Sequence, residues 1–487
     1  MNNIDWKPDR HNPAPLHSQI LQFMRHKIAS GEWPVGYKLP SQRSLAELFG
    51  VNRSTVVAAI DEAASTGLLE GKSGGGTRVV QASWGELTNS AAQTWNTFLR
   101  DRTHQSSHLH MRTINQAEFE PGMIRLGSCE PSPDLIPHDK IRAILGKLSK
   151  RHLGLGYEEP KGYLPLREAL CVYLKNSGIN TQPSNVLITA GVLQGFQLIA
   201  MGLLSPGSIV YLEKPSYLYS LRVFQSFGMQ MAGIPLDDEG IELDELIVRH
   251  RRQKGAVLIT IPTFQNPTGN VMTVERRQQL IQVCGIERLP ILEDDVYREL
   301  WLDQPPPRPI KAFDQNDLVL YTGGLSKNLS PGLRIGWVVG PEAAIEQLAD
   351  IKMQTDYGCS SLSQQVAAEI FNSGLHDTNN QVLREAVKQR REVAMAALKK
   401  HFSGLATWNC PAGGYFIWMK LKQPISMHML MLKALGRKLL IHPGHLYEFN
   451  SNQTLRISYA YADSGQMENG ISILAELVAH EICRSSS

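Results

Sequence analysis

The stretch GLSKNLSPGLRIGW, residues 324–337, carries a single lysine in a loop rich in Gly, Ser and Pro, with an arginine seven positions after it. A lysine amine can form a Schiff base with an aldehyde cofactor, and a nearby arginine can hold that cofactor's phosphate group. Lys327 follows the apolar run 318–321, which predicts a strand, so the lysine falls in a loop just beyond a strand end. Ser326 and Arg334 supply a hydroxyl and a guanidinium that suit a phosphate.

Outward from this loop, apolar runs typical of strands alternate with amphipathic helical patterns from about residue 120 onward. This alternation predicts an α/β fold with a mostly parallel sheet covered by helices on both faces. Ligands of such sheets bind at the carboxyl ends of the strands. A long helix followed by short strand runs predicts a smaller C-terminal layer at about 385–487. The runs that predict strands of the main sheet are 186–189, 209–212, 256–259, 290–293, 318–321 and 335–339.

Two loops after predicted strands offer groups for an anion and for an aromatic ring. Gly191, Val192 and Leu193 join a strand to a helix, where free backbone N–H groups can cradle an anion. Many strand-to-helix turns contain glycine, so this turn indicates little when taken alone. Tyr217 offers a flat face that can stack on a ring.

Polar residues in three other places suggest further ring and carboxylate contacts. Asp294 ends a predicted strand and could keep a pyridine nitrogen protonated, with Tyr297 in reach of a phenolic oxygen. The alternative for Asp294 is an acidic helix N-cap. Asn266 lies in an Asn-Pro-Thr-Gly turn, and its amide could donate to the ring oxygen. Arg456 lies on a short apolar strand, where a charge needs a partner, either a substrate carboxylate or an internal salt bridge.

In this order along the chain, these residues resemble the fold-type I aminotransferases that use pyridoxal 5′-phosphate, over roughly residues 120–487. The resemblance implies Lys327 as the Schiff-base residue, Asp294 on the pyridine nitrogen, and Asn266 and Tyr297 on the phenolic oxygen. It also implies roles for the remaining candidates: Tyr217 stacks on the ring, Ser326 and Arg334 hold the phosphate, Arg456 takes the α-carboxylate, and Tyr157 reaches the neighbouring subunit's phosphate in a dimer. The family often has a hydroxyl residue where this chain has Gly324, which puts one phosphate contact in doubt.

The front of the chain has a different pattern. Helical periodicity at 14–30, 42–49 and 53–65, followed by a Gly-rich hairpin, predicts a winged helix-turn-helix in about eighty residues. The stretch 36–56 and the wing 74–79 resemble the GntR-type winged helix. The resemblance implies that the start of the third helix enters the major groove of DNA. The DNA-binding candidates are Arg53 as base reader, Ser54 beside it, Ser41, Arg43 and Thr55 on phosphates, and Gly75 and Gly76 in the wing.

Composition bounds the remaining possibilities. The 487 residues have a formal net charge of only +3, so DNA binding depends on where charges lie rather than on bulk basicity. The polar segment 81–118 is interpreted as a linker between a DNA-binding domain at 1–80 and an effector domain at 119–487. The cluster of His104, His108 and His110 lacks a nearby carboxylate or thiol, and no metal site is expected. Scattered cysteines and the absence of a signal-like or membrane-spanning run lead us to expect a cytoplasmic protein.

A GntR-like head on an aminotransferase-like body resembles the MocR subfamily of transcription regulators. This resemblance implies a dimer that binds DNA and senses an amino acid, an amine or pyridoxal 5′-phosphate itself. The alternative is a working aminotransferase with an accessory DNA-binding head. A third possibility is a DNA-binding protein whose body is purely structural and holds no cofactor.

Overall fold

The computed structural model describes residues 6–10, 12, 14–29, 33, 36–65, 68–72, 76–79, 109–151, 154–448 and 451–486. These residues divide into two compact units, one within 1–102 and the other within 103–487. No helix in these ranges is long and apolar enough to cross a bilayer. His104, His108 and Gly75, which the sequence analysis singled out, lie outside them.

The first unit contains the three helices and the hairpin that the sequence predicts. Ser41 caps the second helix by accepting a hydrogen bond from the Ser44 N–H, and Gly50 ends that helix in the left-handed region at φ 65°. The apolar faces of the helices meet in one core that includes Ile20, Met24, Leu45, Phe49, Val56 and Ile60. The elements are α1 (Leu16–Ala29), α2 (Gln42–Phe49), α3 (Arg53–Ser65), β1 (Leu69–Lys72) and β2 (Gly76–Val79).

The second unit alternates strands and helices, as the sequence predicts. Its helices are α4 (Leu109–Ala117), α5 (His138–Leu148), α6 (Leu164–Asn176), α7 (Val192–Gly202), α8 (Leu243–Arg252), α9 (Val274–Glu287), α10 (Glu342–Thr355), α11 (Ser361–Asn372), α12 (Leu375–His401), α13 (Met427–Gly436) and α14 (Ser464–Ser486). Its strands are β3 (Ile124–Arg125), β4 (Val186–Thr189), β5 (Ile209–Lys214), β6 (Gln230–Asp237), β7 (Gly240–Ile241), β8 (Gly255–Thr260), β9 (Ile291–Asp294), β10 (Val319–Gly324), β11 (Gly336–Val339), β12 (Ala406–Trp408), β13 (Phe416–Leu421), β14 (Leu439–Leu440), β15 (His442–Pro443) and β16 (Thr454–Ser458).

The main sheet confirms the predicted mostly parallel arrangement. Within the described ranges it has eight strands in the order β4-β11-β10-β9-β8-β5-β6-β7. Strands β10, β9, β8, β5 and β6 pair in parallel, whereas β11 and β7 run antiparallel to their neighbours. Strands β4, β9 and β11 are buried along their whole length, and most of their residues are apolar. Their carboxyl ends meet at one edge, which positions the loops described below.

The smaller layer is built around a four-stranded sheet in the order β12-β13-β16-β15. It also includes residues from much earlier in the chain, since β3 pairs in parallel with β14 and so joins residues 124–125 to residues 439–440. The long helix α12 starts at Leu375, about ten residues before the 385 boundary that we expected for this layer. The layer shares one apolar core with loop residues of the main sheet, including Phe264, Tyr297 and Leu300.

Residues 109–117, which we placed at the end of the linker, form the helix α4. Its Ile114 and Ala117 are buried in a cluster with Met431, Leu440 and Tyr447 of the smaller layer. The polar composition of this segment concealed a short apolar face of Met111, Ile114 and Ala117, which is too short for periodicity to reveal.

Candidate functional site

The site lies where the loops after β4, β5, β8, β9 and β10 converge at the carboxyl edge of the main sheet. Parallel pairing aligns these strand ends, so residues separated by up to about 140 positions come together. Gly191, Tyr217, Asn266 and Lys327 lie in four of these loops, and Asp294 is the last residue of β9.

Asp294 is fully buried and has one unpartnered oxygen. Its Oδ2 accepts a hydrogen bond of 2.8 Å from the Tyr217 hydroxyl, whereas Oδ1 has no hydrogen-bond partner among the described residues. Burial raises the pKa of Asp294 to about 7, although the Tyr217 hydroxyl, the Val296 backbone N–H and the Lys327 ammonium favour the ionised form. A buried acceptor without a donor is costly. Oδ1 therefore suits an N–H from a ligand, as the expected pyridine ring would supply.

Asn266 and Tyr297, the two residues expected on a phenolic oxygen, are in contact with each other. The Asn266 amide Nδ2 donates to the Tyr297 hydroxyl at 3.2 Å, and both residues are 2% exposed. Tyr217 is half-buried, and its backbone N–H donates to the Asn266 carbonyl oxygen at 3.1 Å. The sequence analysis predicted a stacking role for Tyr217 but not the hydroxyl contact that ties it to Asp294.

Lys327 points towards a segment that the sequence analysis did not single out. Its Nζ donates to the Cys129 carbonyl oxygen at 2.8 Å and lies 3.5 Å from the Cys129 Sγ. The Tyr415 hydroxyl donates to the Lys327 backbone oxygen. These contacts span 198 and 88 residues of sequence, and no local pattern marks Cys129 or Tyr415.

Ser326, Arg334 and Gly191 form a cradle at the start of α7. Arg334 Nη2 donates to the Ala190 carbonyl oxygen at 2.7 Å, and Nη1 lies 3.4 Å from the Ser326 Oγ. Gly191 precedes α7 at φ 93°, and a Cβ added there would lie 2.5 Å from Arg334 Nη2. Val192 and Leu193 begin the helix, whose first N–H groups are free to face an anion.

Gly324, the position where a hydroxyl residue was expected, has little room for a side chain. A Cβ added there would lie 3.2 Å from the Ile335 carbonyl oxygen, which is tighter than most real contacts. The hydroxyl residue that aminotransferases often have at this place would therefore crowd β11, which starts directly after Ile335.

Arg456 is a buried cation among neutral groups. It is 3% exposed, and its guanidinium donates to Asn266 Oδ1 at 2.8 Å and to the Gly127 carbonyl oxygen at 2.5 Å. Its carbon Cζ lies 4.1 Å from the Phe416 ring centroid and 4.9 Å from that of Tyr447. Within the described part of the chain no carboxylate oxygen lies within 4.0 Å of it, and Nε is buried without a partner. The internal salt bridge that we weighed for Arg456 is therefore not formed by these residues.

His442 was missed by the sequence analysis and contacts Arg456 directly. Its Nδ1 lies 3.2 Å from Arg456 Nη2 and 2.8 Å from the Tyr447 hydroxyl. Burial and then the Arg456 charge hold the pKa of His442 well below its usual range. The ring is therefore neutral, and its Nδ1 can accept from the guanidinium. A Cβ at Gly127 would lie 2.1 Å from the His442 ring, so glycine is needed opposite this histidine.

Tyr157 lies apart from these groups. It is 81% exposed, and its ring centroid is 4.7 Å from that of Tyr357, which is also exposed. Among the residues that the structure describes, Tyr157 has no hydrogen bond to the groups gathered at the strand ends. Its described partner within the chain is therefore the Tyr357 ring and not a residue of the site.

The candidate DNA-binding residues lie on the exposed surface of the first unit. Arg53, at the first position of α3, donates to Gln42 Oε1 at 3.2 Å, and Ser54 beside it is exposed. The Arg43 side chain is 86% exposed, with its Nε 3.6 Å from Glu47 Oε1. Thr55 is half-buried, and Gly76 has φ 82° at the start of β2. This placement leaves the first turn of α3 open to a groove.

Comparison with known families agrees with this division of the chain. The family "Aminotransferase class I and II" matches residues 121–474, and the family "Bacterial regulatory proteins, gntR family" matches residues 16–79. These ranges correspond to the two compact units described above.

Three similar proteins illustrate the match. The chain is 46% identical to the uncharacterized HTH-type transcriptional regulator YisV of Bacillus subtilis over 98% of each chain. It is 32% identical to a kynurenine aminotransferase of Pyrococcus horikoshii, with a TM-score of 0.73 over 78% of this chain and 96% of that one. LysN, an alpha-aminoadipate aminotransferase of Thermus thermophilus complexed with N-(5′-phosphopyridoxyl)-L-leucine, is 27% identical, with a TM-score of 0.72 over 82% of this chain and 100% of that one.

The aminotransferase match implies pyridoxal 5′-phosphate as the cofactor, and the unpartnered Asp294 Oδ1 and the cradle at Gly191 fit its ring nitrogen and its phosphate. With its GntR head, the chain therefore belongs to the MocR subfamily of GntR-type transcription regulators.

Proposed function

We propose that this regulator senses a primary amine bearing a carboxylate, which binds at the pyridoxal 5′-phosphate site and changes DNA binding. The observation that carries the proposal is Arg456, a buried guanidinium whose partners among the described residues are all neutral. An unpaired buried charge is costly, and a ligand carboxylate would remove that cost. An effector of this class is a free amino acid or a small peptide.

The cofactor supplies an aldehyde that condenses with primary amines and an electron-poor ring. We propose that Lys327 is the amine that holds it covalently and that Asp294 Oδ1 accepts from the ring N–H. Asn266 and Tyr297 would hold the phenolic oxygen, and Tyr217 would pack against the ring. The proposed phosphate ligands are Ser326, Arg334 and the N–H groups of Gly191, Val192 and Leu193.

The protein's own groups set the geometry for an incoming amine. Asn266 Oδ1 and the Gly127 carbonyl oxygen orient the guanidinium of Arg456, while Asn266 Nδ2 holds Tyr297. The rings of Phe416 and Tyr447 cover the guanidinium and keep water from it. A carboxylate that binds Arg456 thus finds a guanidinium that is already oriented and shielded from water. Both conditions strengthen the charge-assisted hydrogen bonds between the two groups.

A pair of small probes tests the carboxylate requirement. Aminooxyacetate and O-methylhydroxylamine both condense with an aldehyde, but only the first carries a carboxylate. We expect the holoprotein to bind aminooxyacetate at least about ten-fold more tightly in an absorbance titration, because one charge-assisted contact contributes about 1.5–3 kcal/mol. Arg456→Gln should equalise the two probes. Arg437→Gln, at an exposed arginine paired with Glu476, is the matched control.

The same samples connect the site to DNA. We expect aminooxyacetate to change the affinity of wild-type protein for the DNA upstream of its own gene, and O-methylhydroxylamine to change it less. If Arg456→Gln retains the preference for aminooxyacetate, or if neither probe nor any amino acid alters DNA binding, the proposal is wrong.

The DNA-binding residues are a separate part of the proposal and make separable predictions. Arg53→Ala should weaken binding by about 1–3 kcal/mol and relax specificity at one position of the operator, because a guanidinium that reads guanine contributes that much. Arg43→Ala should weaken binding to all sequences and reduce the salt slope by about one, as expected for a phosphate contact. Affinities at several salt concentrations, measured on operator and scrambled DNA, distinguish the two. Identical effects of both variants would contradict these assignments.

We also propose a homodimer in which Tyr157 reaches the partner's phosphate site. Its 81% exposure, which leaves the hydroxyl open to a second subunit, supports this assignment. We further propose a linker within 81–108 between domains at 1–80 and 109–487, and we expect a cytoplasmic location, since a GntR domain needs access to DNA.

Transamination is the second candidate function. The observation that supports it is that Lys327, Asp294 and Arg456 occur in one site, since an aminotransferase would need all three. Steady-state turnover with an amino acid and a 2-oxo acid separates the two functions. Robust turnover without any effect on DNA would favour the enzyme.

A further inference from the structure

We infer that α4, the first described helix after the segment that leads from the DNA-binding unit, reports whether the carboxylate position at Arg456 is filled. The inference rests on the proposed function and names how the site would communicate with the rest of the protein. Two separate sets of contacts join α4 to the site.

The first set passes through three consecutive residues, 127–129. The Gly127 carbonyl oxygen accepts from Arg456, and the Cys129 carbonyl oxygen accepts from Lys327. Between them, the Ser128 hydroxyl donates to the carboxylate of Glu118, which directly follows α4. This segment therefore touches the anion-binding arginine, the proposed cofactor lysine and the end of α4.

The second set is apolar. Ile114 and Ala117 of α4 are 1% and 4% exposed and belong to one buried cluster with Tyr447, and Tyr217 packs against that cluster. The same Tyr447 covers Arg456 and bonds His442, and Tyr217 bonds Asp294. Two side chains of the site thus form part of the surface that holds α4.

A ligand changes the balance of these contacts. A carboxylate on Arg456 competes with the Gly127 carbonyl oxygen and Asn266 Oδ1 for the guanidinium donors, since an anion is the stronger acceptor. When Gly127 is released, the segment 127–129 can move. This movement weakens the Ser128–Glu118 hydrogen bond and changes the packing of the cluster that joins α4 to Tyr447. The site can bias α4 only because its contacts differ between the filled and the empty state.

Hydrogen exchange of the α4 amides measures this coupling without any operator DNA. Holoprotein is saturated with aminooxyacetate or with O-methylhydroxylamine, and the exchange of residues 109–117 is compared. We expect aminooxyacetate to change the exchange rate by about five-fold or more, the lower end of ordinary coupling free energies, and O-methylhydroxylamine to change it by less than about two-fold. Amides of α9 are the internal reference.

Glu118→Ala should remove most of that response while aminooxyacetate still saturates the absorbance change. Glu118→Gln, whose amide oxygen still accepts from Ser128, should restore part of it. Glu120→Gln is the matched control, because Glu120 lies two residues away and pairs with Lys438 on the surface. Ser128→Ala tests the same hydrogen bond from its other side.

Unchanged α4 exchange in a saturated wild-type protein, or an undiminished response in both Glu118→Ala and Ser128→Ala, overturns the inference. A wild-type α4 that responds while DNA affinity does not change would support this coupling and contradict the proposed function. The two failures are therefore distinguishable.

Discussion

Lys327→Ala is expected to abolish covalent retention of pyridoxal 5′-phosphate completely. Only an uncharged primary amine can form the imine, and the other candidate residues of the site offer hydroxyl, carboxylate, amide and guanidinium groups. The measurement is reduction of the holoprotein with borohydride, which fixes an imine as a stable amine, followed by mass analysis of the peptides. Wild-type protein should carry the cofactor on the peptide that contains Lys327, and the variant should carry none.

Lys327→Arg is the control for charge. Its guanidinium can preserve the contact with the Cys129 carbonyl oxygen, but it remains protonated and cannot form an imine. It should therefore lose the covalent label as completely as the alanine variant while keeping a positive charge beside Asp294. A label that persists in both variants, together with an unchanged DNA response to amines, would mean that another residue holds the cofactor.

Asp294→Asn is expected to have opposite effects on the apoprotein and the holoprotein. In the apoprotein, a carboxyl whose pKa rises from 3.8 to about 7 on folding costs the ionised folded state on the order of 4 kcal/mol at most. Asparagine has nearly the same shape and no such cost. With cofactor, the neutral amide cannot stabilise a protonated ring nitrogen, and affinity should fall by about ten- to a hundred-fold.

The sign of the pH dependence follows from proton binding. Between about pH 4 and pH 7 the folded apoprotein holds more protons at Asp294 than the unfolded chain, so this group lowers the free energy of unfolding as pH rises. Above about pH 7 Asp294 is ionised in both the folded and the unfolded state, so the free energy of unfolding no longer changes with pH through this group. Urea unfolding of the apoproteins at pH 5 and pH 8 should show Asp294→Asn more stable than wild type, by a wider margin at pH 8. A destabilised apo variant at pH 8 would contradict the pKa argument.

Much of the fold follows from local pattern. The apolar runs 186–189 and 256–259 lie within β4 and β8, because strands covered by helices on both faces of a sheet are mostly apolar. Ser41 and Gly50 begin and end α2 as their side-chain chemistry predicts. The start of α12 and the helix α4 were not predicted, since a polar sequence with few apolar positions gives a weak period.

The candidate site likewise has one part that local sequence pattern indicates and another part that it does not. Gly191, Asn266, Asp294 and Lys327 could be found from sequence because each follows or ends a predicted strand, and parallel pairing brings strand ends together. Their order along the chain then indicated one cofactor chemistry.

The surroundings of Arg456 could not be found in this way. Gly127 lies 329 residues from Arg456 along the chain, and His442 and Tyr447 have no motif that ties them to an arginine. Which oxygens and rings surround a buried cation depends on how β3, β15 and β16 pack, and a contact across hundreds of residues leaves no period in the sequence. The sequence alone thus determined the two-part architecture and the cofactor chemistry at the strand ends. Only the tertiary structure decided that Arg456 has no carboxylate partner among the described residues and that α4 packs in one cluster with Tyr447, which covers the arginine.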